Sequence, residues 1–245
     1  MNNYTDLAMR AYQNNRYCFT SFLSMSEFAD LEAERGSFPN VKYEAFGGYD
    51  GAERKVVRFG NEEDLGYVEE YPVVCIRIDF ANKKFATQCN HRDYLGSLMG
   101  LGLERKCFGD ILCDDTGAFV FVLEKNASYI LENLASVGRN IVRCKFVDEI
   151  PTETVEGQTK EILIQVNSMR VDGIISHIYK LSRKDTLPYF VDKKVAVNGR
   201  LVENNDKQLE TGDVISVRGH GKFKITESGS LTRKGKINVK AEVYV

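Results

Sequence analysis

The sequence predicts an α+β protein in three parts, and three observations carry that reading. Of its 245 residues, 43% are hydrophobic and 28% charged, enough apolar material to close a core. Between residues 72 and 150 the hydrophobic spacing alternates between strand and helix periods, in the order strand, helix, strand, strand, helix, strand. Charge is unevenly divided along the chain. Residues 168–245 hold 15 Lys and Arg against 9 Asp and Glu, a net of +6, while residues 1–167 carry −8. A basic end on an acidic body points to a polyanionic partner for the last third.

Residues 1–71 form the first part. Leu7, Ala8, Ala11 and Tyr12 share one side of a helix over Asp6–Tyr17, and Ser24 or Ser26 caps a second helix with Leu31 on its apolar face. Val41–Phe46 alternates as a strand. Gly47, Gly48 and Gly51 supply a turn, and Lys55–Phe59 resumes as the second arm of a hairpin.

The middle part, 72–150, opens with the buried strand Val73–Ile78. A helix follows over Arg92–Leu103, then strands at Asp110–Cys113 and Ala118–Leu123 joined by the turn Asp114–Gly117. A second helix over Asn126–Val137 is closed by Gly138 as a left-handed cap, and Ile141–Val147 is the last strand. This is the split βαβ, ferredoxin-like order. Gly117–Val122 also resembles the aromatic strand of an RNA-recognition motif, giving the middle an RRM-like cast. The expected basic residue and second exposed aromatic are missing before Ala118, so both faces of this strand are read as packed.

Pro151–Gly157 is a polar linker and Lys160–Val166 one more strand, together making a connecting segment over 151–167. The basic domain runs from 168 to 245. Ile174, Ile175, Ile178 and Leu181 mark one face of a helix, and Ser182 caps a second helix reaching about Val191. Val195–Val197 is a strand entering the Asn198-Gly199 turn, and Leu209–Arg218 reads as turn then strand.

This order resembles the S-four RNA-binding domain, with its αL motif, named after the fourth small-subunit ribosomal protein. The matching residues are Arg170, Asp172, Ser182-Arg183, Val195, Val197, Asn198-Gly199 and Gly212-Asp213-Val214-Ile215. The resemblance implies RNA binding, and the physics agrees. Arg183 and Lys184 fall on the first turn of a helix, where outward amides and the positive dipole end favour a phosphate. Lys180, Lys193, Lys194, Arg200 and Arg218 extend the cationic face, and Arg170, Ser182 and Asn198 complete the candidate RNA-binding set. Structured RNA is met largely through backbone and shape, which suits such a face. Asp172 is read as holding its neighbours. Pro188 departs from the family pattern by falling inside the second helix, where an interior proline costs ~3 kcal/mol, so tolerance near the first turns or a kink is expected.

A wider resemblance covers nearly the whole chain. Thr20–Leu23, Phe46–Arg54, His91–Gly102 and Gly109–Leu112 are similar to the bacterial YlmH family. That family is encoded beside cell-division genes in many Gram-positive bacteria and linked to ribosome quality control at large subunits holding peptidyl-tRNA. What the resemblance implies is a non-catalytic protein with ribosomal RNA, tRNA and the large ribosomal subunit as partners.

Other chemistries fare worse. No apolar stretch is long enough to span a membrane, and the polar start carries no signal core. Six scattered cysteines without a CxxC pair read as reduced thiols, so a cytoplasmic location is expected and no metal. His91, His177 and His220 lie far apart. His91-Arg92-Asp93 lacks the Asn of a kinase loop, with Leu98 in its place, and Gly100-Leu101-Gly102 lacks the third glycine of a dinucleotide loop. No cofactor is indicated. Two alternatives stay open. One is a pseudouridine synthase-like RNA-modifying enzyme, with Asp93 as its candidate, although Asp93 reads better as a helix cap. The other is a cell-division adaptor binding a protein through the acidic body.

Overall fold

A computed structural model describes residues 4–148, 159–231 and 235–244, so the proposed linker 151–157 lies outside the described residues. The chain is α+β and divides into two compact units, 1–155 and 156–245.

In the first unit, α1 (Tyr4–Asn14) buries Tyr4, Ala8 and Ala11, one face at helical spacing. α2 (Met25–Glu34) begins at Ser24, whose hydroxyl accepts from the Glu27 amide while the Glu27 carboxylate accepts from the Ser24 amide, a reciprocal capping box. β1 (Cys18–Phe19), β2 (Tyr43–Phe46) and β3 (Val56–Phe59) form a small antiparallel sheet with β3 central, so the expected hairpin is present. The short helix α3 (Glu62–Leu65) follows.

Next come β4 (Val73–Phe80), α4 (His91–Gly100), β5 (Phe108–Asp114), β6 (Gly117–Leu123), α5 (Glu124–Asn133), β7 (Ser136–Val137) and β8 (Asn140–Val147). Their sheet runs β5-β6-β4-β8-β7 and is antiparallel throughout, the ferredoxin-like order with a short hairpin strand added at the β8 edge. Ile76, Ile78, Val120 and Val122 pack beneath Tyr94 and Leu98 of α4 and Ile130 of α5.

Two helix ends differ from the sequence reading. α4 stops at Gly100, three residues early, with Gly102 at φ +84° just beyond. α5 stops at Asn133, where Leu134 turns extended. Gly138 is therefore not a helix cap. With φ +57° it opens the two-residue turn of the β7–β8 hairpin, because the same left-handed freedom serves both uses.

The opposite face of the sheet is covered as well. Phe119 and Phe121 are buried with Cys75, Leu112 and Leu123 against Phe22 and Val56 of the N-terminal part. The Gly-rich segment explains how. Gly48, at φ +104°, lies where any Cβ would come within 2.1 Å of the Phe121 ring. Tyr49 then stacks on Phe121 with centroids 5.0 Å apart, and its hydroxyl donates to Asp110 at 3.0 Å. The same carboxylate accepts the Glu53 and Arg54 amides at 2.7 and 3.1 Å. The aromatic strand is thus an internal interface, as its packed reading required.

The second unit is a six-stranded antiparallel sheet in the order β11-β10-β12-β13-β14-β9. Its strands are β9 (Thr159–Val166), β10 (Val195–Val197), β11 (Arg200–Leu201), β12 (Val214–Val217), β13 (Gly221–Leu231) and β14 (Ile237–Tyr244). β9 pairs along its whole length with β14 and forms that edge of the sheet. α6 (Val171–Ile178) and α7 (Arg183–Val191) cover one face, with Val171, Ile174, Ile175, Ile178 and Phe190 against Val195, Val197, Ile215, Val217 and Phe223. α7 continues through Pro188 to Val191.

At the rim of the first unit, Arg77 is buried, its guanidinium bidentate on Asp114 and bonded to Asp79 and Thr116. Burial raises the Asp114 carboxyl, but the bonds from Arg77 and Thr116 prevail and hold it at about 2, below its ordinary 3.8. Its contribution to stability is therefore full above about pH 4 and lost as pH falls through about 2. Asp114→Asn should lower stability by about 2 kcal/mol at neutral pH, because a buried guanidinium loses a charged partner. Thermal melts across pH should show the gap to the wild type closing toward pH 2.

Candidate nucleic-acid interface

The first turn of α6 is built on a buried carboxylate. Asp172 is 3% exposed. It accepts from Arg170 Nε at 3.1 Å and Nη2 at 3.0 Å, from the Gly173 amide at 2.7 Å and from the Asn205 side chain at 3.4 Å. The bond from Arg170 to Asp172 is the main reason the Arg170 guanidinium titrates above its ordinary value. Backbone bonds from Val171 to Lys207, Asp172 to Asn205 and Leu209 to Met169 fasten the start of α6 to the 204–209 loop.

Gly173 lies in this turn, and a Cβ placed there would sit 3.0 Å from Arg183 Nη2. The bare glycine is the seat over which the Arg183 guanidinium lies. The two helix ends carry further cations. Lys180 follows α6 at φ +55° and Lys193 follows α7 at φ +53°. These are left-handed positions where glycine is usual, and they turn both lysines outward to solvent. Ser182 caps α7 as expected, accepting the Asp185 amide at 3.2 Å while its hydroxyl donates to the Asp185 carboxylate at 2.6 Å.

The Asn198-Gly199 turn joins β10 to β11 with φ of +49° and +76°. The Asn198 amide donates to Asp213 at 2.7 Å and its carbonyl accepts the Val214 amide at 2.9 Å, so this side chain pins the hairpin to the 210–214 turn. Arg200 stands on β11 and is exposed.

The ten predicted residues do not form one patch. Arg170, Lys180, Ser182, Arg183 and Lys184 gather around the starts of α6 and α7. Lys193, Lys194 and Arg218 gather at the other end of α7, where the Arg218 amide donates to the Lys194 carbonyl at 2.9 Å. Lys193 pairs with Glu203 at 2.9 Å and Lys194 with Asp192 at 2.8 Å. Among the described residues no carboxylate forms an ion pair with Lys180, Arg183, Lys184 or Arg218, all of them exposed. The sequence reading missed Gly173 and the Tyr189–His220 pair beside Arg218. A glycine on either side of His220 was the available signal.

In the first unit, Asp93 is the third residue of α4, and its carboxylate accepts the Asn90 amide at 2.8 Å in a capping box. Among the described residues no group of three or more His, Cys, Asp or Glu is placed to hold a metal ion, and no helix is long and apolar enough to cross a membrane.

These features define a class, an α+β protein whose last third is a basic domain resembling the S-four domain. Within it, residues 67–150 match the family described as "Putative RNA-binding domain in YlmH". The chain is 29% identical over 231 residues to the ribosome-associated protein quality control protein P2 of Bacillus subtilis (strain 168), covering 93% of this chain and 87% of the relative. The YlmH resemblance read in the motifs is borne out. The chain is also 31% identical over 80 residues to small ribosomal subunit protein uS4 of Laribacter hongkongensis (strain HLHK9), or 32% of this chain and 39% of that one. Among solved structures it is similar to the cell division protein ylmH from Streptococcus pneumoniae, with a TM-score of 0.47 at 18% identity, covering 59% of this chain and 88% of that one.

Gly173→Ala tests the seat. The fold should be kept or stabilised by up to ~1 kcal/mol, since alanine is the better helix former and meets only a flexible side chain. The displaced guanidinium should nevertheless weaken RNA binding about threefold or more, read by filter binding beside a thermal melt.

Proposed function

We propose that this chain is a non-catalytic, cytoplasmic RNA-binding protein. It acts on ribosomal RNA or tRNA at the large ribosomal subunit, in quality control of ribosomes that retain peptidyl-tRNA. The observation that carries the reading is the exposed set Lys180, Arg183 and Lys184 at the α6–α7 junction with Arg218 in the β12–β13 turn, none of them in an ion pair among the described residues, on a domain whose two helices pack against its sheet. A phosphate meeting these groups displaces no ion pair among the described residues. The name of the Bacillus subtilis relative supports the ribosomal setting, and the match of residues 67–150 to an RNA-binding family supports nucleic acid as the ligand. Ser182, Asn198 and Arg170 serve by shaping the face, since their polar groups already have partners within the domain.

Two other readings weaken beside it. Asp93 holds its own helix end, which weakens it as the catalytic candidate of the synthase-like reading. A protein partner for the acidic body rests on charge alone.

Co-sedimentation with separated ribosomal subunits across a salt series tests the proposal. Neutralising four to six phosphates should give a log–log slope of about −3 to −5, and Arg183→Glu should weaken binding more than about tenfold with the fold intact. A slope near zero, or unchanged affinity in that variant, would overturn the electrostatic mechanism. Binding to small subunits alone would overturn the large-subunit assignment.

A further inference from the structure

The far end of α7 carries something the cationic face near Arg183 lacks, an exposed aromatic group held in place. The β12–β13 turn reads Arg218-Gly219-His220-Gly221-Lys222, and Gly219 and Gly221 take φ of +93° and +126°. L-residues rarely adopt either value, so the turn depends on both glycines. Between them His220 is exposed, yet its ring is fixed. His220 Nε2 is hydrogen-bonded to Tyr189 Oη at 2.6 Å, and the ring centroid lies 5.1 Å from both Tyr189 and Tyr179. Cations flank the group. Lys194 Nζ stands 5.9 Å above the Tyr189 ring, and Arg218 is exposed two residues before His220.

A core needs no exposed ring on a double-glycine turn. A phosphate-only surface needs no aromatics. An exposed ring bonded in place near cations suits an unstacked nucleotide: a π-face to stack on, with Arg218 and Lys194 near enough in the fold to meet its phosphates. We propose that His220, braced by Tyr189, is a stacking platform for one unpaired base of the bound RNA, next to the helical stem gripped at Lys180, Arg183 and Lys184. The proposal rests on the RNA-binding reading and adds a partner feature to it, a junction between a stem and a single strand.

The test uses the full-length chain and two RNA probes, a blunt hairpin and the same hairpin with a single-stranded tail. The tail should improve wild-type affinity about tenfold, within the range for one stacked base. His220→Ala should abolish that gain and leave hairpin binding within about twofold. His220→Phe should retain most of the gain, because the platform survives without the hydrogen bond. Arg183→Glu should weaken both probes alike. A thermal melt of each variant, with the His220→Phe result beside it, separates lost stacking from lost fold. Equal wild-type affinity for the two probes would overturn the platform and leave the RNA reading standing, as would His220→Ala weakening both alike. Failure of the wild type to bind either probe at low salt would overturn both.

Discussion

The basic face proposed to meet RNA depends on one buried carboxylate. An ionised Asp inside a protein is tolerated when its oxygens are satisfied, and Asp172 meets that condition with Arg170, its neighbouring amide and Asn205. Those bonds fasten the start of α6 to the 204–209 loop. With α6 placed, Gly173 becomes the seat for Arg183, and the short turn to Ser182 sets where α7 begins. Losing one partner would leave a charge stranded in the domain, so this interaction governs both the stability of the helix pair and the position of its cations. The basic face is therefore a consequence of a packed polar centre and not of surface composition alone.

The first unit resolves a conflict in its own sequence. The ferredoxin-like order and an aromatic inner strand suggest a sheet that stacks bases. Gly48 and Tyr49 fill that role internally, because the Tyr49 ring lies on Phe121 where a base would have to lie, and Asp110 holds Tyr49 and the following amides in register. Burying those rings favours folding, and the rings of this strand are therefore withdrawn from solvent. Arg143 and Lys145 on β8 are exposed on the same side of the sheet, beyond the covered part.

The cationic groups of the basic domain differ in how freely they can meet a phosphate. Lys193 and Lys194 each have a carboxylate within 3 Å, so a phosphate must compete for them. Lys180, Arg183, Lys184 and Arg218 carry no such competitor among the described residues. Exposed ion pairs are worth little, about 0–1 kcal/mol, so the paired lysines are recruited at small cost as a ligand docks. This grades the surface into groups that attract first and groups that rearrange.

Much of this was legible in the sequence because it is local. Apolar spacing placed the helices and strands, the Ser24 and Ser182 caps are set by residues within one turn of them, and Asn198-Gly199 dictates a two-residue hairpin through its own backbone preferences. Charge imbalance between the two parts of the chain is a property of composition, and the S-four motif residues stand in one short stretch. What only the tertiary structure decided is long-range. Gly138 serves as a hairpin turn and not a helix cap, since the local conformation suits both and pairing with β8 selects one. The aromatic strand is buried because residues 47–54 reach across to it. Eight of the ten candidate residues fall into two groups at the two ends of α7, and Asn198 and Arg200 stand on the β10–β11 hairpin. Gly173 and His220 gain their meaning from partners 10 and 31 residues away, Arg183 and Tyr189. Distances of that kind are set by packing, which no local preference encodes.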